Sequence, residues 1–151
     1  MNLLDEHGAH LSGIEHLRAM MAADWQGGMA RTLGIRLVEV NEGRIVTEAT
    51  PGTEHYNPAG IVHGGFAAAL LDTSCGYAVL SRMQPGQNFM TLELKVAYHR
   101  AMTSDTGPVR AEAWTVTCGR RVAFAEGRLT DADGRLYATA TSSLLVMSGP
   151  S

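Results

Sequence analysis

The stretch Gly65-Phe-Ala-Ala-Ala-Leu-Leu-Asp-Thr-Ser-Cys-Gly-Tyr-Ala-Val-Leu-Ser81 decides the fold. It is apolar on nearly every side, and a helix of that kind must be buried all round rather than along one stripe. Pro85-Gly86 ends it. Downstream, four segments read as strands: Phe89 to His99, Pro108 to Cys118, Val122 to Thr130 and Leu136 to Met147, with a tight turn at Asp131-Ala132-Asp133-Gly134 between the last two. Upstream, two β-branched segments, Ile35 to Val40 and Arg44 to Thr50, meet at Asn41-Glu42-Gly43 as an antiparallel pair. Residues 51 to 62 form a loop. Before the strands, Leu11, Ile14, Leu17, Ala19, Met20 and Met21 recur at mostly helical spacing until Gly27-Gly28 interrupts, which predicts one amphipathic helix and a short second turn.

The simplest way to bury the long helix is an antiparallel sheet of five to six strands wrapped around it, an α+β architecture. At 151 residues the chain has the size of one domain. Residues 1–33 are expected to pack as a helical segment on a domain formed by residues 34–148.

Net charge is −3 and Lys95 is the single lysine, so no basic run suggests a general nucleic-acid surface. No apolar run is long enough to span a bilayer and no leader pattern opens the chain, so no membrane association and a cytoplasmic address are expected. Cys75 and Cys118 lie far apart in apolar stretches and read as packing residues in a reducing compartment. His7, His10 and His16 complete no recognisable ligand spacing, so they read as surface histidines and no metal is expected.

The chemistry concentrates in Asn57-Pro-Ala-Gly-Ile-Val-His63-Gly64-Gly65 and the helix that follows. Two glycines at a helix start leave the unpaired N–H groups open to an approaching carbonyl, and a preorganised N–H such as that of Gly64 stabilises the charge its oxygen gains on attack. The plainer reading is that the glycines permit close packing of loop on helix. Asp72 is the only charged residue from Gly64 to Leu80, and a buried carboxylate needs a partner or a purpose. Its neighbours Ala68, Ala69, Cys75 and Gly76 are small, which leaves room for another helix or a ligand. Eight residues of helix separate Gly64 from Asp72, about 12 Å at 1.5 Å per residue, too far for both to share one reacting carbonyl. Two copies with antiparallel helices would set Asp72 of one against Gly64 of the other, giving two equal sites in a C2 dimer.

With Asn57, His63-Gly64-Gly65 and Asp72 in this order and spacing, the chain over roughly residues 30 to 147 resembles the PaaI-type hotdog acyl-CoA thioesterases, related to the 4-hydroxybenzoyl-CoA thioesterase branch. The resemblance implies that Asp72 is nucleophile or general base and that Gly64 supplies the oxyanion N–H. His63 would orient the loop or thioester, Asn57 would position water or the carboxylate, and Thr91 matches a Ser or Thr that reaches the carboxylate or its water. It also implies coenzyme A bound along a subunit groove, with Gly119-Arg120-Arg121 the best phosphate contact, Lys95, His99 and Arg100 weaker ones, and Gly65 and Met90 near the substrate. Tyr56, Phe66, Met83, Phe89 and Met90 are candidates to line an aryl or short-to-medium acyl site. A homodimer or dimer of dimers is expected, with no cofactor beyond the coenzyme A of the substrate. Two other readings stay open: a non-catalytic acyl-CoA sensor, and a hotdog hydratase or dehydratase.

Overall fold

The computed structural model describes residues 10–148. Six strands, β1 (Arg36–Asn41), β2 (Arg44–Ala49), β3 (Gln87–Tyr98), β4 (Val109–Cys118), β5 (Val122–Asp131) and β6 (Leu136–Ser148), form one antiparallel sheet in the order β1-β2-β4-β5-β6-β3. Gly43, at φ 73°, makes the turn between β1 and β2, a conformation that L side chains resist. Three helices accompany the sheet: α1 (Gly13–Ala22), α2 (Gly28–Leu33) and α3 (Gly64–Leu80). The expected order of elements holds throughout, with two short 3-10 turns added at Thr53–His55 and Ser104–Thr106.

The sheet wraps α3, which packs against β2, β3, β4, β5 and β6. Along the C-terminal half of the helix, Cys75, Val79, Leu80 and Met83 meet Ile45, Leu144 and the α1 residues Leu17 and Met20. Along the N-terminal half, Phe66, Ala67, Leu70 and Leu71 meet Val109, Leu129 and Ala138. Inside this apolar contact a buried hydroxyl pair joins helix to strand: Thr47 Oγ1 lies 2.7 Å from Ser74 Oγ, which also reaches the Leu70 carbonyl at 2.9 Å. Both hydroxyls of the pair have a partner, so burial leaves neither unsatisfied.

α1 begins with a capping box, in which Glu15 accepts hydrogen bonds from the Ser12 N–H and hydroxyl at 2.8 and 2.6 Å. It then lies across the end of α3. The Gly13 N–H donates to the Met83 carbonyl at 3.0 Å, and a Cβ on Gly13 would fall 1.7 Å from the Leu80 carbonyl oxygen. Only glycine admits so close an approach.

Several expectations are corrected. The long helix is not buried all round: Gly65 is exposed and Ala68, Ala69, Asp72 and Thr73 are only partly buried, so one stripe remains uncovered. Small neighbours do not all leave room beside Asp72. Cys75 is buried against the sheet, and a Cβ on Gly76 would meet the Phe89 ring at 2.6 Å, so that space is filled. His16 is buried on α1 rather than at the surface, whereas His10 is exposed and His7 lies outside the described residues. Cys118 is exposed at the end of β4 and only Cys75 packs in the core; both are free thiols.

Candidate active site

The first turn of α3 is set by two side chains acting on one peptide. His63 is the N-cap, and its Nδ1 accepts the Gly65 N–H at 2.8 Å, which places the ring proton on Nε2. On the other side of the same Gly64–Gly65 peptide, the Tyr98 hydroxyl donates to the Gly64 carbonyl at 2.7 Å. The Phe66 N–H returns to the His63 carbonyl at 3.0 Å, whereas the Gly64 N–H has no acceptor among the described residues. A Cβ on Gly64 would meet the Tyr98 ring at 3.0 Å and one on Gly65 would meet His63 Nδ1 at 2.9 Å, so a side chain at either position would press on the groups that hold this turn.

Asn57 organises the loop before the helix. Its Oδ1 accepts the Ala59 N–H at 2.9 Å and the Ile61 N–H at 3.4 Å, the pattern of a side chain that mimics a backbone turn. Asn57, Ile61, Gly64, Tyr98, Arg100 and Met102 are among the residues lining a cleft of about 390 Å³ beside the helix N-terminus.

Asp72 lies at the uncovered stripe, and the Thr91 hydroxyl donates to its Oδ1 at 3.0 Å. Next to it, burial first and then the negative charges of Asp72 and Glu126 push the Cys75 thiol up to about 12, so this cysteine is no thiolate nucleophile.

The remaining candidates spread out. Gly119, Arg120 and Arg121 form the exposed tip between β4 and β5, and neither arginine has an acidic partner among the described residues. Ala123 pairs with Leu144, which pairs with Thr91, so the tip lies at the Thr91 end of the sheet, two strands or about 10 Å across from it. Met90 pairs with Leu145 and, next to Thr91 on a pleated strand, faces the side of the sheet away from Asp72. Lys95 is exposed, and His99 Nε2 sits 2.9 Å from Thr139 Oγ1. Of the suggested acyl contacts, Phe66 and Met83 are core residues, Phe89 covers Gly76, and the Tyr56 hydroxyl accepts the Ser104 N–H at 2.9 Å.

Residues 59–138, which carry the glycine turn, Asp72, Thr91 and Tyr98, match the thioesterase superfamily. The chain belongs to that superfamily. It is a thioester hydrolase with the hotdog fold. This thioesterase is 30% identical over 121 residues to the proofreading thioesterase EntH of Klebsiella pneumoniae, covering 80% of this chain and 87% of the relative. To the 1,4-dihydroxy-2-naphthoyl-CoA hydrolase of Listeria monocytogenes it is 25% identical over 119 residues, covering 79% and 95%. Its backbone superposes on the PaaI protein of Escherichia coli with a TM-score of 0.78, covering 91% of this chain and 95% of the other at 20% identity, a likeness of fold alone.

Sequence reasoning did not single out Tyr98. In sequence it is one more aromatic residue on a strand.

Proposed function

We propose that this thioesterase hydrolyses acyl-CoA thioesters to the free acid and coenzyme A in sites shared between two copies of the chain. The observation that carries the reading is the division of the machinery along one helix. The Gly64 N–H, without an acceptor among the described residues, stands at the start of α3, and Asp72, held by Thr91, stands eight residues on, about 12 Å away. Both flank the uncovered stripe, so a second α3 laid antiparallel brings each Asp72 to the other chain's Gly64. The edge strand β3 supports the same pairing. It is twelve residues long, has strand β6 on one side only, and exposes Met90, Leu92 and Tyr98, the kind of edge that a second chain covers.

In the proposed reaction Asp72 takes a proton from water as the water oxygen bonds to the thioester carbon. The carbonyl oxygen becomes an oxyanion that accepts from Gly64. Its collapse breaks the C–S bond, and the thiolate leaves and takes up the proton from Asp72. A thiol with an ordinary pKa of about 8.5 departs without a strong acid. Direct attack by the Asp72 carboxylate, giving a mixed anhydride that water then opens, uses the same groups. Water is the co-substrate and no cofactor enters either route. Arg120 and Arg121 are the proposed contacts to coenzyme A phosphate, since guanidinium groups without an acidic partner among the described residues suit phosphate oxygens. Among the described residues no helix is long and apolar enough to cross a membrane, and the two free thiols fit the reducing cytoplasm proposed as the site of action.

Release of free thiol from a panel of aryl, short-chain and long-chain acyl-CoAs tests the reading. Stoichiometric thiol is expected from at least one class; binding of acyl-CoA with no thiol from any would identify a sensor instead. Thr91→Val removes the hydroxyl that holds Asp72 at nearly constant volume. It should lower kcat about tenfold, the scale of one hydrogen bond to a charged group. An unchanged kcat would remove Thr91 from the site.

A further inference from the structure

Tyr98 and Thr91 stand seven residues apart on one strand, an odd separation that should send them to opposite faces of the sheet. Both nevertheless point to the face that holds α3, since Thr91 reaches Asp72 and Tyr98 reaches Gly64. The reason is a β-bulge. Thr91 pairs with Leu144 and Glu93 with Ser143, so Leu92 has no partner on β6 and the alternation shifts by one residue. One strand therefore touches both ends of the helical segment that carries the proposed machinery.

We infer that Tyr98 is a positioning residue for the Gly64 N–H, a role that rests on the reading of Gly64 as the oxyanion donor. The Gly64–Gly65 peptide is held from both sides, its N–H by His63 and its carbonyl by Tyr98. The Gly64 N–H belongs to the adjoining His63–Gly64 peptide, whose carbonyl accepts the Phe66 N–H at 3.0 Å; the two peptides meet at the Gly64 Cα, so holding the Gly64–Gly65 plane restricts rotation at Gly64 and with it the direction of its N–H. The ring adds a steric stop, because it occupies the space a Cβ on Gly64 would need. The bulge at Leu92 is what allows the same strand to deliver both Thr91 and Tyr98. Bulges of this kind commonly re-aim side chains beside active sites.

The test is Tyr98→Phe, which keeps the ring against Gly64 and deletes only the hydroxyl. With kcat normalised to the folded fraction measured by circular dichroism, it should fall about five- to tenfold. KM should stay within about twofold, the signature of an interaction realised in the transition state. A normalised kcat equal to wild type overturns the inference, as does a variant that fails to fold, since the hydroxyl would then serve stability. Asp72→Asn, assayed in parallel, keeps the two levels apart. If that variant is dead and Tyr98→Phe is fully active, positioning fails and the site reading stands; if Asp72→Asn turns over normally, the site reading itself fails.

Discussion

Asp72→Asn is expected to lower kcat for thioester hydrolysis by about two to four orders of magnitude, the range typical of losing a positioned proton-transfer group. The amide is nearly isosteric with the carboxylate, and its oxygen can still accept the Thr91 hydroxyl, which donates to Asp72 at 3.0 Å. The first turn of the helix, held by His63 and Tyr98, is untouched. Thermal stability and coenzyme A binding should therefore stay near wild type while thiol release collapses. The assay must follow chemistry and folding together: thiol release for the first, circular dichroism melting for the second. Turnover within a factor of a few of wild type would remove Asp72 from the mechanism on either route, nucleophile or base.

Gly13→Ala carries the largest expected effect on stability. The added methyl would lie 1.7 Å from the Leu80 carbonyl oxygen, and both groups are backbone-anchored, so no side-chain rotation relieves the clash. α1 must move off the end of α3, weakening the Gly13 to Met83 hydrogen bond and the packing of Leu17 and Met20 in the core. Overpacking of this kind costs about 1–3 kcal/mol. For a chain of this size that corresponds to a melting midpoint lower by roughly 3 to 10 °C. Met21→Ala, on the same helix but exposed, is the control and should move the midpoint by far less. Equal midpoints for Gly13→Ala and wild type would mean that α1 is not tightly seated on α3.

The residues differ in how far the chain itself disclosed them. Helix α3 and the six strands were legible because each is written in a local pattern, an apolar run of helical length or alternating β-branched residues between turn signals. Asn57, His63, Gly64, Gly65 and Asp72 were legible as a spaced set. Tyr98 was not, because the bulge at Leu92 breaks the period of two by which a strand's faces are counted. The need for glycine at positions 13 and 76 was hidden for another reason. It arises from Leu80 and Phe89, contacts set by packing between elements, which no local spacing encodes. The burial of His16 and the exposure of Cys118 belong to the same class. Residue type gives only a weak prior on burial, and position in the assembled sheet decides.

The uncovered stripe of α3 has a consequence in the arithmetic of symmetry. If Asp72 of one chain lies opposite Gly64 of another, the residue halfway between them, Ala68, falls beside the two-fold axis and faces its own copy. Only a pair of methyl groups then separates the two helices at their crossing, well suited to the short end of the 8–10 Å range of interaxial distances. A bulkier side chain at position 68 meets itself there, so its volume is felt twice and both reaction centres widen at the same moment. In such a pair the alanine would act as a spacer whose thickness sets the gap between carboxylate and amide at two sites at once.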